Sequence, residues 1–217
     1  MSHVRVVVRP IGTPLPLGFL GLFLATTAFA AVQLQWVPAD QGRVVALGVL
    51  AATVPVQLLA SVLGFLARDP VAGTGMGVLA GTWGAVALAT LTSPPGAASA
   101  GLGVLLLAAG VAMLVPAAAA TTKLVAASVM ALAGVRFAVT GVAELTGDRT
   151  WFSAAAVVGL VLAALALYGA FGFELEDVRH RTVLPLGRRG AGRVALTGSE
   201  EDELRALAHE AGVRRQL

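Results

Sequence analysis

Few residues in this chain are equipped for chemistry. It has no Cys and three His, at positions 3, 180 and 209, far apart and outside every apolar run. Neither a thiolate metal site nor a Ser-His-Asp constellation can be assembled from these, so no enzyme, metal or cofactor is expected. Paired carboxylates are missing from the apolar stretches, and Asp40, Asp69 and Asp148 fall in the connectors. Gly73-Thr74-Gly75-Met76-Gly77 lacks the lysine and hydroxyl residue that complete a phosphate loop. Two features remain. Arg136 stands near the middle of an apolar stretch, where an arginine costs about 2.5 to 3.5 kcal/mol to insert and must face the interior or water. Its guanidinium can donate two parallel hydrogen bonds to a carboxylate. It can equally be structural, paired with backbone carbonyls or with Glu144, eight residues on and about 80° round the same helix. The second feature is Thr13-Pro14-Leu15-Pro16-Leu17-Gly18-Phe19. Each proline lacks an N–H and restricts the residue before it, so both lie before or within a first helical turn. The free amides that follow can hold an anion, although a proline there is more often only a helix start.

The elements that position these residues are membrane spans. Of 217 residues, 57% are hydrophobic and 12% charged, against about 25% charged in a soluble domain. Mean hydropathy is +0.85. Six apolar stretches, 17–34, 44–66, 72–91, 97–120, 124–145 and 151–173, approach or exceed the roughly 20 residues that cross a bilayer core. Short connectors rich in Pro, Gly and Asp separate them, and the turn between the fourth and fifth, at Thr121-Thr122-Lys123, should be tight. The expected fold is an all-α integral membrane protein, a bundle of six transmembrane helices. Its parts are an N-terminal segment 1–16, a transmembrane domain 17–173 and a tail 174–217.

Nine cationic residues flank one side of the spans (Arg5, Arg9, Arg68, Lys123, Arg179, Arg181, Arg188, Arg189, Arg193) and two the other (Arg43, Arg149). The positive-inside rule puts both termini in the cytoplasm of a multi-pass cell-membrane protein, in agreement with an even number of spans. The formal charge of +3 and pI near 10.5 describe that basic rim, in contact with anionic lipid rather than nucleic acid. A rival reading takes the first stretch as a secretory signal cleaved after Ala28-Phe29-Ala30; that would leave five spans and break the agreement. In the tail, Leu204, Leu207, Ala208 and Ala211 recur at helical spacing after Ser199, predicting a short amphipathic helix of about 200–211. It reads as a docking element or as a marginal solvated helix.

Pro14-Leu15-Pro16-Leu17-Gly18-Phe19, with Gly21 and Thr26 following, resembles the Asn-Pro-Ala-Pro-Leu-Gly-Leu signature of the acetate uptake transporters, which include the bacterial succinate-acetate permeases. Arg181-Thr182-Val183-Leu184-Pro185-Leu186-Gly187 is similar to the motif that closes those proteins, and it follows Tyr168 at the family spacing. Between them Gln57, Thr74 and Trp83 fall at family positions. The resemblance implies a six-helix protomer with a pore through its own bundle, assembled as a ring, commonly a homo-hexamer, and conducting acetate and related small carboxylates. The constriction it implies falls at Leu22, Leu79 and Ala133, where the permeases carry Phe, Tyr and Leu. Thr13 replaces the family Asn, Gly64 a Glu, and Arg136 an apolar residue.

The substrate pathway expected from these readings comprises Pro14, Pro16, Gly18, Leu22, Thr26, Gln57, Thr74, Leu79, Ala133 and Arg136. Polar side chains in apolar helices turn inward, so at least two of Thr26, Gln57 and Thr74 should line a central path. Gly73, Gly75, Gly77, Gly81, Gly101 and Gly103 should let helices approach closely. Two further functions stay open: a non-transporting six-span scaffold or sensor with the tail as output, and a pathway for a neutral solute such as ammonia or a protonated acid.

Overall fold

The computed structural model describes residues 12–179, 181–190 and 193. Six helices long and apolar enough to cross a membrane account for most of them: α1 Leu15–Gln33, α2 Ala39–Leu66, α3 Pro70–Thr92, α4 Ala100–Ala119, α5 Leu124–Thr146 and α6 Arg149–Arg179. This is an all-α membrane-protein fold, with no strand among the described residues. The N-terminal residues 1–11 and the amphipathic helix expected at about 200–211 lie outside the described residues.

Local chemistry sets the helix ends. Pro14 precedes α1 and Pro16 lies in its first turn, where a missing N–H costs no hydrogen bond. Asp69 accepts from the Ala72 amide at 3.1 Å and starts α3 together with Pro70. Ser99 starts α4 by accepting from the Leu102 amide at 3.3 Å. Gly147, at φ +68°, closes α5 in the left-handed conformation that a glycine reaches without strain. Helix α6 runs six residues past Phe173, because hydropathy marks the lipid-facing part of a helix and backbone hydrogen bonding marks its end.

Two helices carry interruptions. In α2 a wide turn over Val49–Thr53, with the Val54 amide on the Val49 carbonyl, ends two residues before Pro55, whose ring and absent N–H disturb the preceding turn. In α4 the regular helix stops at Met113, three residues ahead of Pro116.

The helices pack in chain order around a ring, with α1 closing on α6. The α4–α5 contact brings two backbones close together along an antiparallel pair. A Cβ on Gly103 would lie 2.9 Å from the Gly141 carbonyl oxygen, and one on Gly110 the same distance from that of Gly134. Both helices therefore place glycines seven residues apart, two turns, so the pairs recur on one seam. Gly81 and Gly101, expected to do the same, have nothing within 4 Å of a Cβ position. The core is one apolar cluster that includes Leu15, Phe19, Leu22, Met76, Leu79 and Met130. Leu58, Leu59, Val62, Phe65 and Leu66 on α2 and Val104, Val111, Leu114 and Val115 on α4 stay exposed, rows that suit hydrocarbon or another apolar surface.

Candidate functional site

Arg136 is the largest fully enclosed side chain, 2% exposed, and it meets three helices. Its Nη2 donates to Gln33 Oε1 at the end of α1 (2.6 Å), and its Nη1 to Thr140 Oγ1 one turn on along α5 (2.5 Å). The Thr140 hydroxyl itself donates to the Arg136 carbonyl oxygen at 2.7 Å, which fixes the acceptor's direction. From α6, Gly159 supplies the space: a Cβ there would sit 2.7 Å from Arg136 Nε and 3.0 Å from Thr26 Oγ1. The Thr26 hydroxyl donates to the Gly159 carbonyl oxygen at 3.4 Å. Nε has no acceptor among the described residues.

Glu144 is not the partner of Arg136. Its Oε2 accepts from the Ser99 amide at 2.8 Å, at the start of α4. The eight residues between them put it about 12 Å along α5. The ion pairs formed by Lys123 with Asp69 and by Arg188 with Glu176 lie elsewhere, so no carboxylate side chain among the described residues balances Arg136.

Two cavities lead toward this arginine from the end of the bundle marked by Gly147. The outer one, about 140 Å³, is bounded by Arg43, Ser93, Ser99 and Arg149. The inner one, about 50 Å³, is lined by Phe29, Trp83, Phe137, Thr140 and Leu106. Gln33 and Glu144 line both. An aromatic wall gives the inner cavity its shape: Phe29 stacks on Trp83 at 5.6 Å between centroids, and Trp83 meets Phe137 edge-on at 5.8 Å. Trp83 Nε1, also buried, has no acceptor among the described residues.

The remaining residues singled out in the sequence lie deeper or toward the other end. Leu22, Leu79 and Ala133 are fully enclosed in the apolar cluster. Gly18 faces Met76 across the α1–α3 contact, and Gly75 faces Met130. Gln57 Nε2 donates to the Gly18 carbonyl oxygen at 3.3 Å, and Thr53, at the wide turn of α2, donates to that of Gly21 at 3.2 Å. Gln57 is fully buried, with Oε1 unpartnered. Thr74 is half-buried, one turn inside the end of α3 where Asp69 meets Lys123 (2.5 Å). Pro14 and Pro16 are buried at that same end.

There the segment 181–190 folds back onto the bundle. The Leu186 and Gly187 carbonyl oxygens accept from the Val125 and Leu124 amides, both at 3.2 Å, supplying acceptors to the start of α5. Leu186 is 1% exposed against Gly172, and the Tyr168 hydroxyl donates to the Pro185 carbonyl oxygen at 3.1 Å. Arg188 pairs with the buried Glu176 at 2.5 Å and lies over the Phe173 ring, 5.5 Å from its centroid. The two ends of the chain that carried the sequence motifs therefore meet one bundle end.

No protein-family model and no curated protein matches the sequence. Among solved structures, the bacterial acetate channel SatP superposes with a TM-score of 0.72, over 82% of this chain and 99% of its own. The fold is that of SatP. Identity with SatP is 24%, so the backbone arrangement is common to the two while most side chains differ.

Sequence reading missed Gln33, Thr140 and Gly159 as neighbours of Arg136. Thr140 had a signal, since residues four apart share a helix face. Gln33 is 103 residues from Arg136 and Gly159 lies on a different helix, so only the packing of α1, α5 and α6 assembles the cluster.

Proposed function

We propose that this protein is a membrane channel or transporter for acetate and related small carboxylates, with the pathway inside each protomer. The observation that carries the proposal is the fold shared with an acetate channel over nearly all of that channel's length. The cavities support it: the outer one opens at a rim carrying Arg43 and Arg149, charges that draw an anion inward.

The pathway runs from that rim past Arg136 and Thr26, through the narrow apolar segment of Leu22, Leu79 and Ala133, and along Gln57 and Thr74 to the end where Pro14, Pro16 and Gly18 begin α1. Both termini face the cytoplasm of the cell membrane. The exposed apolar rows of α2 and α4 support assembly into a homo-oligomeric ring, six protomers by the resemblance, with lipid on the outside.

Uptake of acetate and succinate by vesicles containing the purified protein, with pH and voltage varied, tests the function. Acetate uptake well above protein-free vesicles is expected. Its absence in a correctly folded oligomer would leave a non-transporting scaffold.

A further inference from the structure

A buried guanidinium without a carboxylate partner is expensive, because desolvation removes its hydration and nothing of opposite charge replaces it. Arg136 has this problem: neutral Gln33 and Thr140 take two of its donors, and Nε has none. Both acceptors also line the inner cavity, so they form the layer between that space and the charge. A second orphaned donor, Trp83 Nε1, belongs to a wall of the same cavity.

We infer that the inner cavity is a binding site for a short monocarboxylate anion, in which the ligand's carboxylate takes the place of Gln33 Oε1 as acceptor for Arg136. This deepens the proposed function and rests on it for the identity of the ligand.

The cavity's size and lining specify the class. Counting about 10 to 15 Å³ per enclosed water, 50 Å³ holds roughly four, the number of heavy atoms in acetate. Trp83 supplies an N–H donor from the cavity wall and Arg136 a second once Gln33 gives way, one for each carboxylate oxygen, while Phe29, Phe137 and Leu106 offer an apolar wall to the methyl group. A dicarboxylate would have to bury its second charge against those aromatic and aliphatic faces, so succinate is discriminated against. Glu144 lines the rim of the cavity with one oxygen held by the Ser99 amide. A carboxylate at that point opposes an incoming anion by like-charge repulsion, which the attraction of the guanidinium has to outweigh.

Gln33→Glu gives a sharp test, since it changes one atom type and places a carboxylate within the chain where the ligand's is inferred to sit. Sodium [13C]acetate is titrated into the full-length protein in lipid nanodiscs, and broadening of the acetate carboxylate signal is followed by NMR. The wild type should show saturable binding that succinate and equimolar chloride displace poorly. Gln33→Glu should abolish binding by filling the site from within. Arg136→Lys should weaken it by about tenfold, because the ammonium lacks the planar fork, and Trp83→Phe by a few-fold. Gln33→Glu is close to isosteric and answers the question even where an Arg136 variant fails to fold.

Acetate binding unchanged in both Gln33→Glu and Trp83→Phe would overturn the site. Vesicle uptake separates this from the broader reading. Uptake without binding at this cavity refutes the site and leaves the channel standing; binding without uptake does the reverse.

Discussion

Gln33 and Arg136 are 103 residues apart, yet the amide oxygen of the first accepts from the guanidinium of the second at 2.6 Å inside the bundle. The bond joins the last turn of α1 to the middle of α5 and makes the two residues one energetic unit. Gln33→Leu should therefore destabilise the protein by about 1 to 3 kcal/mol, since it strands a buried charged donor. Adding Arg136→Leu should recover much of that loss, because removing both partners leaves an apolar contact. Thermal unfolding in mild detergent across the four combinations measures the coupling; strictly additive losses would show that the bond contributes nothing.

Gly159 tests the packing behind the arginine. Gly159→Ala puts a methyl 2.7 Å from Arg136 Nε and 3.0 Å from Thr26 Oγ1, so one of them must move. A cost of about 1 to 3 kcal/mol is expected, as for overpacking in other cores. Gly81→Ala, with nothing within 4 Å of the new carbon, is the matched control and should be neutral or slightly stabilising. Equal melting temperatures for the two variants would contradict the α1, α5 and α6 arrangement.

The returning segment at the other end predicts a local effect. Arg188→Leu leaves Glu176, 1% exposed, without its partner at 2.5 Å. Breaking a buried pair from one side typically costs about 3 to 5 kcal/mol. Limited proteolysis should then cut between residues 179 and 190 well before the wild type is cut, while the spans stay protected. An unchanged digestion pattern would mean that Leu186 and the carbonyl contacts to α5 hold the segment by themselves.

Topology is tested independently of the site. A tag inserted at the turn around Gly147 should report the outside and a tag on residue 217 the inside, following the nine-to-two distribution of Lys and Arg. An outside C-terminus would reverse the direction of the cavities.

The sequence by itself determined that six helices cross a membrane. The reason is local and strong: in hydrocarbon every backbone polar group must be bonded within its own segment, so a long apolar run is legible without knowing its neighbours. Sequence also determined that Arg136 lies inside, since its charge forbids a lipid-facing position. It could not say what Arg136 meets. Glu144 was the natural candidate within the same helix, yet the crossing of α4 and α5 carries Glu144 to the Ser99 amide, and the closure of α1 onto α6 brings Gln33, Thr26 and Gly159 to the guanidinium. Likewise Gly103 paired with Gly141 while Gly81 and Gly101 paired with nothing, although all are small residues in apolar spans. A glycine permits close approach; the crossing geometry of two helices decides whether one occurs. That geometry depends on all six helices packing at once, and no single stretch of sequence contains it.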